Sequence, residues 1–197
     1  MWRLPLAYLA AVAGLCAAIM STVEPGPEEV RATIRATALT SGVPFLLVFT
    51  ASPLHRLRPS AVTRWLMANR RYVGLCVAAS HLWHLVAIVA FVRLYLLEPL
   101  EPATLVFGGG GFVLLGLMAA TSTDAAQRAL GVWWDRLHKT GLYVVWLDFI
   151  FTYMGPVVAF LTKADSTWLS PFHVLMTLAF AVAWTLRLVA FFSTRRA

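Results

Sequence analysis

The sequence predicts an all-α membrane protein, a single bundle of six transmembrane helices with both termini in the cytoplasm. Composition is the first reason: 60% of the 197 residues are apolar and 13% are charged, with a mean hydropathy of +0.75, well outside the range of a soluble domain. The second is a series of long apolar stretches, each near the length needed to cross about 30 Å of hydrocarbon. The third is the unequal distribution of basic residues between alternate loops.

Six apolar stretches are separated by short polar segments, and each predicts one transmembrane helix. Between the fourth and fifth stretches, residues 124–137 predict a short amphipathic helix at the cytoplasmic surface, where Trp133 and Trp134 suit a membrane interface. The remaining chain is too short for a soluble catalytic domain, so we expect residues 1–197 to form one membrane domain. The predicted spans are residues 4–22, 36–54, 72–97, 103–121, 138–160 and 172–192.

Loop charge sets the expected orientation. With six spans, both termini, the 2–3 loop and the 4–5 loop share one side, and this side carries eleven basic residues against four on the other. The positive-inside rule therefore places both termini in the cytoplasm. The net charge of +7 and the pI near 10.1 then reflect topology and anionic lipid headgroups, and nucleic-acid binding is not indicated. The cytoplasmic set is Arg3, Arg56, Arg58, Arg64, Arg70, Arg71, Arg128, Arg136, Lys139, Arg195 and Arg196; the opposite side has Arg31, Arg35, Arg93 and Lys163, with Glu24, Glu28, Glu29, Glu98, Glu101 and Asp165.

Five histidines are the candidate functional side chains. His81 and His84 lie one helical turn apart inside the third predicted span, where ionisable groups are costly and usually serve a function. Imidazole is also a common ligand of haem iron. The alternative is that these histidines form hydrogen bonds within the bundle, which apolar surroundings require in any case. For His55 and His173, near helix ends, an interfacial structural role is favoured.

Two charged residues and a run of glycines also lie inside the predicted spans. Asp148 and Arg187 fall at similar depths in the last two spans, so we expect them to form an ion pair, with His81 as the alternative partner of Asp148. The glycine run of residues 108–111 predicts close packing of the fourth helix against a neighbour, although such a run could also admit a porphyrin.

Two ordered motifs carry a resemblance to a known family. The first is Thr50-Ala51-Ser52-Pro53-Leu54 followed by Arg70-Arg71-Tyr72-Val73-Gly74-Leu75, with His84 fourteen residues after Arg70. The second is Ala120-Thr121-Ser122-Thr123-Asp124-Ala125, then Arg128-Ala129-Leu130-Gly131, Trp134, Leu137-His138-Lys139 and Tyr143. Residues 36–190 resemble the ferric reductase-like transmembrane family, and within it the haem-binding membrane subunits of methionine sulfoxide reductase systems (the MsrQ/YedZ type).

The resemblance implies b-type haem held between histidines of the third and fifth helices in a bacterial inner membrane. His84 matches the helix 3 ligand and His138 matches the first helix 5 histidine. The family's second helix 5 histidine falls thirteen residues after His138, where this chain has Phe151. That position lies about 20 Å from His138 along the helix, so His138 does not replace the missing ligand. The remaining candidates are His81, His173, a pairing of His55 with His138, and five-coordinate haem.

The sequence therefore predicts a membrane electron-transfer subunit that binds b-type haem. No flavin or nucleotide motif is present in the 197 residues, so the electron donor is expected to be a quinol or a separate flavin reductase. The family resemblance implies a periplasmic acceptor protein. The alternative is a haem-less interaction or assembly subunit that keeps the fold, and a third reading is a proton pathway through His81, His84 and Asp148.

Overall fold

All regular secondary structure is helical in residues 2–96, 100, 102–163 and 169–193, the part of the chain that the computed structural model describes. The all-α fold class is thereby confirmed. The helices, in chain order, are α1 Arg3–Thr22, α2 Pro27–Leu57, α3 Ala61–Tyr95, α4 Pro102–Ala120, α5 Asp124–Leu130, α6 Val132–Leu161 and α7 Pro171–Ser193.

Five of these helices, α1, α2, α3, α6 and α7, are long and apolar enough to span a membrane. In α4 the described apolar stretch is the shorter segment Gly108–Ala120. Large apolar side chains lie on the outside of the bundle: Leu161 is 72% exposed and Leu6 is 66% exposed. Small polar side chains such as Ser41 and Ser80 are fully buried. The many large apolar side chains on the outside of the bundle suit a lipid environment.

The helices α2 and α3 begin earlier than their apolar stretches predict. The apolar pattern places the starts at residues 36 and 72, whereas α2 begins at Pro27 and α3 at Ala61. Capping explains both: Glu29 Oε2 accepts from the backbone N–H of Gly26 at 3.3 Å, and Ser60 Oγ accepts from the backbone N–H of Thr63 at 3.2 Å. Hydropathy locates the membrane-crossing part of a helix, while caps determine where the helix starts.

The predicted amphipathic helix over residues 124–137 is wrong in its extent. Gly131 adopts φ 50°, a conformation that favours glycine, and it divides the segment into α5 and the first turns of α6. Trp133 and Trp134 therefore belong to the helix that continues into the membrane. Trp133 is 67% exposed, as an interfacial tryptophan should be.

An aromatic cluster fills the centre of the bundle and joins α2, α6 and α7. Phe49 and Phe180 are completely buried, and Phe45, Phe149 and Tyr153 are nearly so. The rings of Phe45 and Phe149 have centroids 5.2 Å apart. On the other side, α3 packs most extensively against α2, and α1 joins them through a hydrogen bond from Trp83 Nε1 to the Leu9 carbonyl at 3.2 Å.

Several residues used to predict the topology lie outside the described residues. They are Arg195 and Arg196 near the C-terminus, and Glu98, Glu101 and Asp165 in the loops of the opposite side.

Candidate functional site

His84 contacts α2 through a ring nitrogen. Its Nδ1 lies 3.0 Å from Thr37 Oγ1. The Thr37 hydroxyl also lies 2.7 Å from the Thr33 carbonyl, and we assign its proton to that carbonyl, so that the Thr37 oxygen accepts and His84 Nδ1–H donates. With this assignment the Nε2 lone pair of His84 is the one left for a ligand.

A polar seam between α2 and α3 supports this contact. Thr40 Oγ1 and Ser80 Oγ lie 2.7 Å apart, and Ser80 Oγ donates to the Thr37 carbonyl at 3.1 Å. This seam was not predicted from the sequence, although the helical spacing of Thr37, Thr40 and Ser41 in the second span is a signal that could have indicated it. Its role in orienting His84 could not be predicted, because the partner helix and its rotation have to be known.

His81 lies beside His84, with ring centroids 5.5 Å apart. Its Nδ1 is buried and makes no hydrogen bond within the described part of the chain. An unsatisfied buried ring nitrogen is costly and calls for a partner or a function. The structure therefore brings His81 and His84 together, as their spacing predicts.

Aromatic rings of α4 and α6 enclose this histidine pair. Phe112 lies 5.1 Å from His81 and 6.1 Å from His84, measured between ring centroids. Phe149 meets His81 edge-on at 5.4 Å. The pair is thus surrounded by flat apolar groups in the interior of the bundle.

His138 occupies a different level of the bundle. Its Nε2 lies 3.2 Å from Thr121 Oγ1, next to the C-terminal end of α4, and its ring stacks on Trp134 at 3.9 Å. Phe112, which contacts His84, precedes Thr121 by nine residues, or about 13 Å of helix. His84 and His138 are therefore too far apart to bind opposite faces of one iron.

His55 and His173, the other two candidate ligands, lie near the ends of helices. His55 Nδ1 lies 3.1 Å from Thr63 Oγ1, where it joins the end of α2 to the start of α3. His173 Nδ1 lies 2.9 Å from Ser170 Oγ and accepts the Ser170 backbone N–H at 3.2 Å, at the start of α7. Both contacts have the structural character that the sequence favours for these residues. Phe151, at the position of the family's missing histidine, is 60% exposed on the outside of the bundle.

The predicted ion pair between Asp148 and Arg187 does not form. Arg187 instead donates to Tyr143 Oη at 3.2 Å and to the Phe49 carbonyl at 3.3 Å, and its guanidinium lies 4.2 Å from the centroid of the Phe49 ring. Asp148 faces Gly111 of α4. Tyr143 and Asp148 are five residues apart, or about 140° around α6, so equal depth does not place both on the α7 side.

A cavity of about 330 Å³ lies between α2, α3, α4, α6 and α7. We name it the basic cavity, because Arg70, Arg71, Lys139 and Arg187 all line it. His138 lines it as well, whereas His81 and His84 lie beyond its inner end, about one and two helical turns past Val77 and Ala78. The convergence of these cations was not predicted, because they come from three helices that are distant in the sequence.

The fold and the site define an all-helical bundle, with five helices long and apolar enough to span a membrane and a histidine pair in its interior. No protein-family model matches the sequence, and no solved structure matches the fold.

Proposed function

We propose that this protein is a membrane electron-transfer subunit of the ferric reductase-like type, with b-type haem bound through His84. The observation that carries the proposal is the hydrogen bond between His84 Nδ1 and Thr37. Metal-ligating histidines commonly donate one ring N–H to an oxygen and bind the metal through the other nitrogen. His84 has this arrangement in the apolar interior of a membrane bundle.

The donor chemistry of His84 fits haem iron. His84 would hold the iron through Nε2, and His81, with its unpartnered Nδ1, would lie beside it. Phe151 faces outward and His138 lies at another level, so the proposal is haem with one histidine ligand. When bound, haem supplies a one-electron carrier, while the chain supplies the ligand, its orientation and an apolar environment.

The proposed setting is a bacterial inner membrane with six spans and both termini in the cytoplasm. Basic side chains collect at one end of the bundle, where α2 meets α3 and α4 meets α5, and Arg71 and Asp124 form an ion pair of 2.6 Å there. This clustering supports a cytoplasmic location for that end. A quinol or a separate flavin reductase would donate electrons, and a periplasmic protein would accept them.

The haem content of matched histidine variants tests the proposal. We expect His84→Ala to lose most of its haem, measured as the haem-to-protein ratio of purified protein. His55→Ala is the control, because it also removes a hydrogen-bonded histidine, at the α2–α3 connection. Equal haem content in the two variants, with both folded by circular dichroism, would show that His84 is not the ligand.

One observation favours the alternative of a haem-less interaction or assembly subunit. Phe112 and Phe149 pack against the histidine pair, and Phe149 continues into the closed aromatic core with Phe45 and Phe180. In that case the His84–Thr37 contact is a structural hydrogen bond between α2 and α3. Protein without haem and with undiminished stability would support this alternative.

A further inference from the structure

Within the described residues, cations outnumber carboxylates in the lining of the basic cavity. Arg70, Arg71, Lys139 and Arg187 line it, against one carboxylate, Asp135. Arg71 is neutralised by Asp124, but no ion pair involves the other three cations within the described residues. A concentration of cations around one cavity favours an anionic ligand.

The inner walls of the basic cavity are apolar. Phe45, Val77, Leu115 and Val145 line its deeper part, and all four are nearly or fully buried. The lining residues of α3 run from Met67 to Ala78, about 16 Å along the helix. A small inorganic anion would leave most of this surface without a partner, so the lining indicates a ligand with an anionic head and an apolar tail.

The cations lie at and just below the mouth of the cavity. Arg70 and Lys139 are exposed, and Arg187 is half-buried. Arg187 contacts Tyr143, one turn beyond Lys139 on α6. Trp134, also a lining residue, has the amphipathic ring expected at the boundary between headgroups and acyl chains. An anionic head at the mouth and a tail directed inward match this order of groups.

We propose that the basic cavity binds one anionic phospholipid, with its phosphate between Arg70 and Lys139, above Arg187, and one acyl chain along the apolar walls. Basic pockets between transmembrane helices on the cytoplasmic side are suited to acidic lipid headgroups. A zwitterionic lipid would add a positive charge to a site that already has unpaired cations. This site is separate from the His81–His84 pair and does not depend on haem.

Native mass spectrometry of the delipidated full chain tests the proposal with two probes, dioleoyl phosphatidylglycerol and dioleoyl phosphatidylcholine. We expect one phosphatidylglycerol to bind in preference to phosphatidylcholine. Arg70→Gln and Lys139→Gln should each weaken its binding about fivefold, the effect of one basic residue near a lipid surface. Arg64→Gln is the matched control, because Arg64 is an exposed cation of α3 that does not line the cavity, and it should bind like the parent protein.

A further variant and a soluble competitor separate the lipid from other anions. Ala78→Phe narrows the apolar part and keeps every cation, so it should reduce phosphatidylglycerol binding; if this variant does not fold, the two charge variants decide. Glycerol 3-phosphate, a headgroup without a tail, should not displace the lipid. Three results would overturn the proposal. The first is displacement of phosphatidylglycerol by glycerol 3-phosphate at equal concentration, and the second is equal binding of the two lipids. The third is an equal effect of Arg64→Gln and Lys139→Gln on phosphatidylglycerol binding.

Discussion

A single hydroxyl, that of Thr37, is the side-chain partner of His84 Nδ1. We assign its proton to the Thr33 carbonyl on its own helix, which makes its oxygen the acceptor from His84. The proposed ligand thus depends on a residue 47 positions away in the sequence. His138 contacts a threonine through the other ring nitrogen: its Nε2 lies 3.2 Å from Thr121 Oγ1.

Replacing Thr37 with valine should therefore weaken haem binding while preserving the side-chain shape. We expect a loss in affinity of about 10–100-fold, as for other groups that orient a metal ligand, measured by haem titration of the apoprotein. Thr33→Val is the control, because the Thr33 hydroxyl bonds to the Glu29 carbonyl, one turn away. Equal losses in the two variants would argue against the role assigned to Thr37.

Arg187 is expected to be coupled to Tyr143 and not to Asp148. A double-mutant cycle of Arg187→Gln with Tyr143→Phe should give an interaction energy of about 0.5–3 kcal/mol in detergent unfolding. The cycle of Arg187→Gln with Asp148→Asn should be additive within about 0.5 kcal/mol, because the two residues share no contact. The reverse result would restore the ion pair predicted from the sequence.

At the scale of helices, α4 and α6 approach closely at two glycines: Gly111 leaves room for the Asp148 carboxylate, and Gly141 leaves room for Met118. A Cβ atom added to Gly111 would collide with the Asp148 side chain, whereas at Gly109 and Gly110 it would meet nothing within 4 Å. The sequence predicts close packing of the glycine run, and Gly111 provides it. Which of the four glycines is in contact depends on the rotation of α4, which this nearly uniform apolar segment does not reveal.

Gly111→Ala should therefore destabilise the protein by about 1–3 kcal/mol, the usual effect of overpacking. Gly110→Ala should be neutral or stabilising, because alanine favours helix over glycine by up to about 1 kcal/mol. Thermal unfolding in detergent measures both variants. In an Asp148→Ala background the effect of Gly111→Ala should largely disappear, and an unchanged effect would show that the collision lies elsewhere.

The sequence predicts the helical elements better than their ends or their partners. Apolar stretches are sufficient to locate the helices, because membrane burial selects for composition along the whole span. The start of α3 at Ala61 depends on the cap at Ser60, and the break at Gly131 depends on one backbone torsion. Neither the cap at Ser60 nor the torsion at Gly131 is visible in the hydropathy of the sequence. The histidine pair follows from spacing, whereas the basic cavity requires the three-dimensional arrangement of five helices.

At the scale of the whole molecule, the distribution of charge is the basis of the predicted orientation of the bundle. Arg64, Arg71 and Lys139 lie at one end, with the α2–α3 and α4–α5 connections. Glu28 forms an ion pair with Arg31 of 2.6 Å at the other end. If α4 also spans the membrane, the number of spans is even and the termini share a side.

Reporter fusions at the C-terminus test this topology. We expect a fluorescent cytoplasmic reporter to be active and a fused alkaline phosphatase to be inactive, since six spans return the chain to its starting side. A second fusion after Lys163, in the loop that follows α6, should give the opposite pattern and serves as the control. Phosphatase activity at the C-terminus would mean an odd number of spans or an inverted bundle.

The absorption spectrum of the protein purified from haem-replete cells tests the central claim most directly. We expect a Soret band, with α and β bands that develop on reduction with dithionite, at about one haem per chain. A single histidine ligand further predicts a five-coordinate, high-spin spectrum that changes on addition of carbon monoxide to the reduced protein. Folded, stoichiometric protein without Soret absorbance would contradict the account and favour the haem-less alternative.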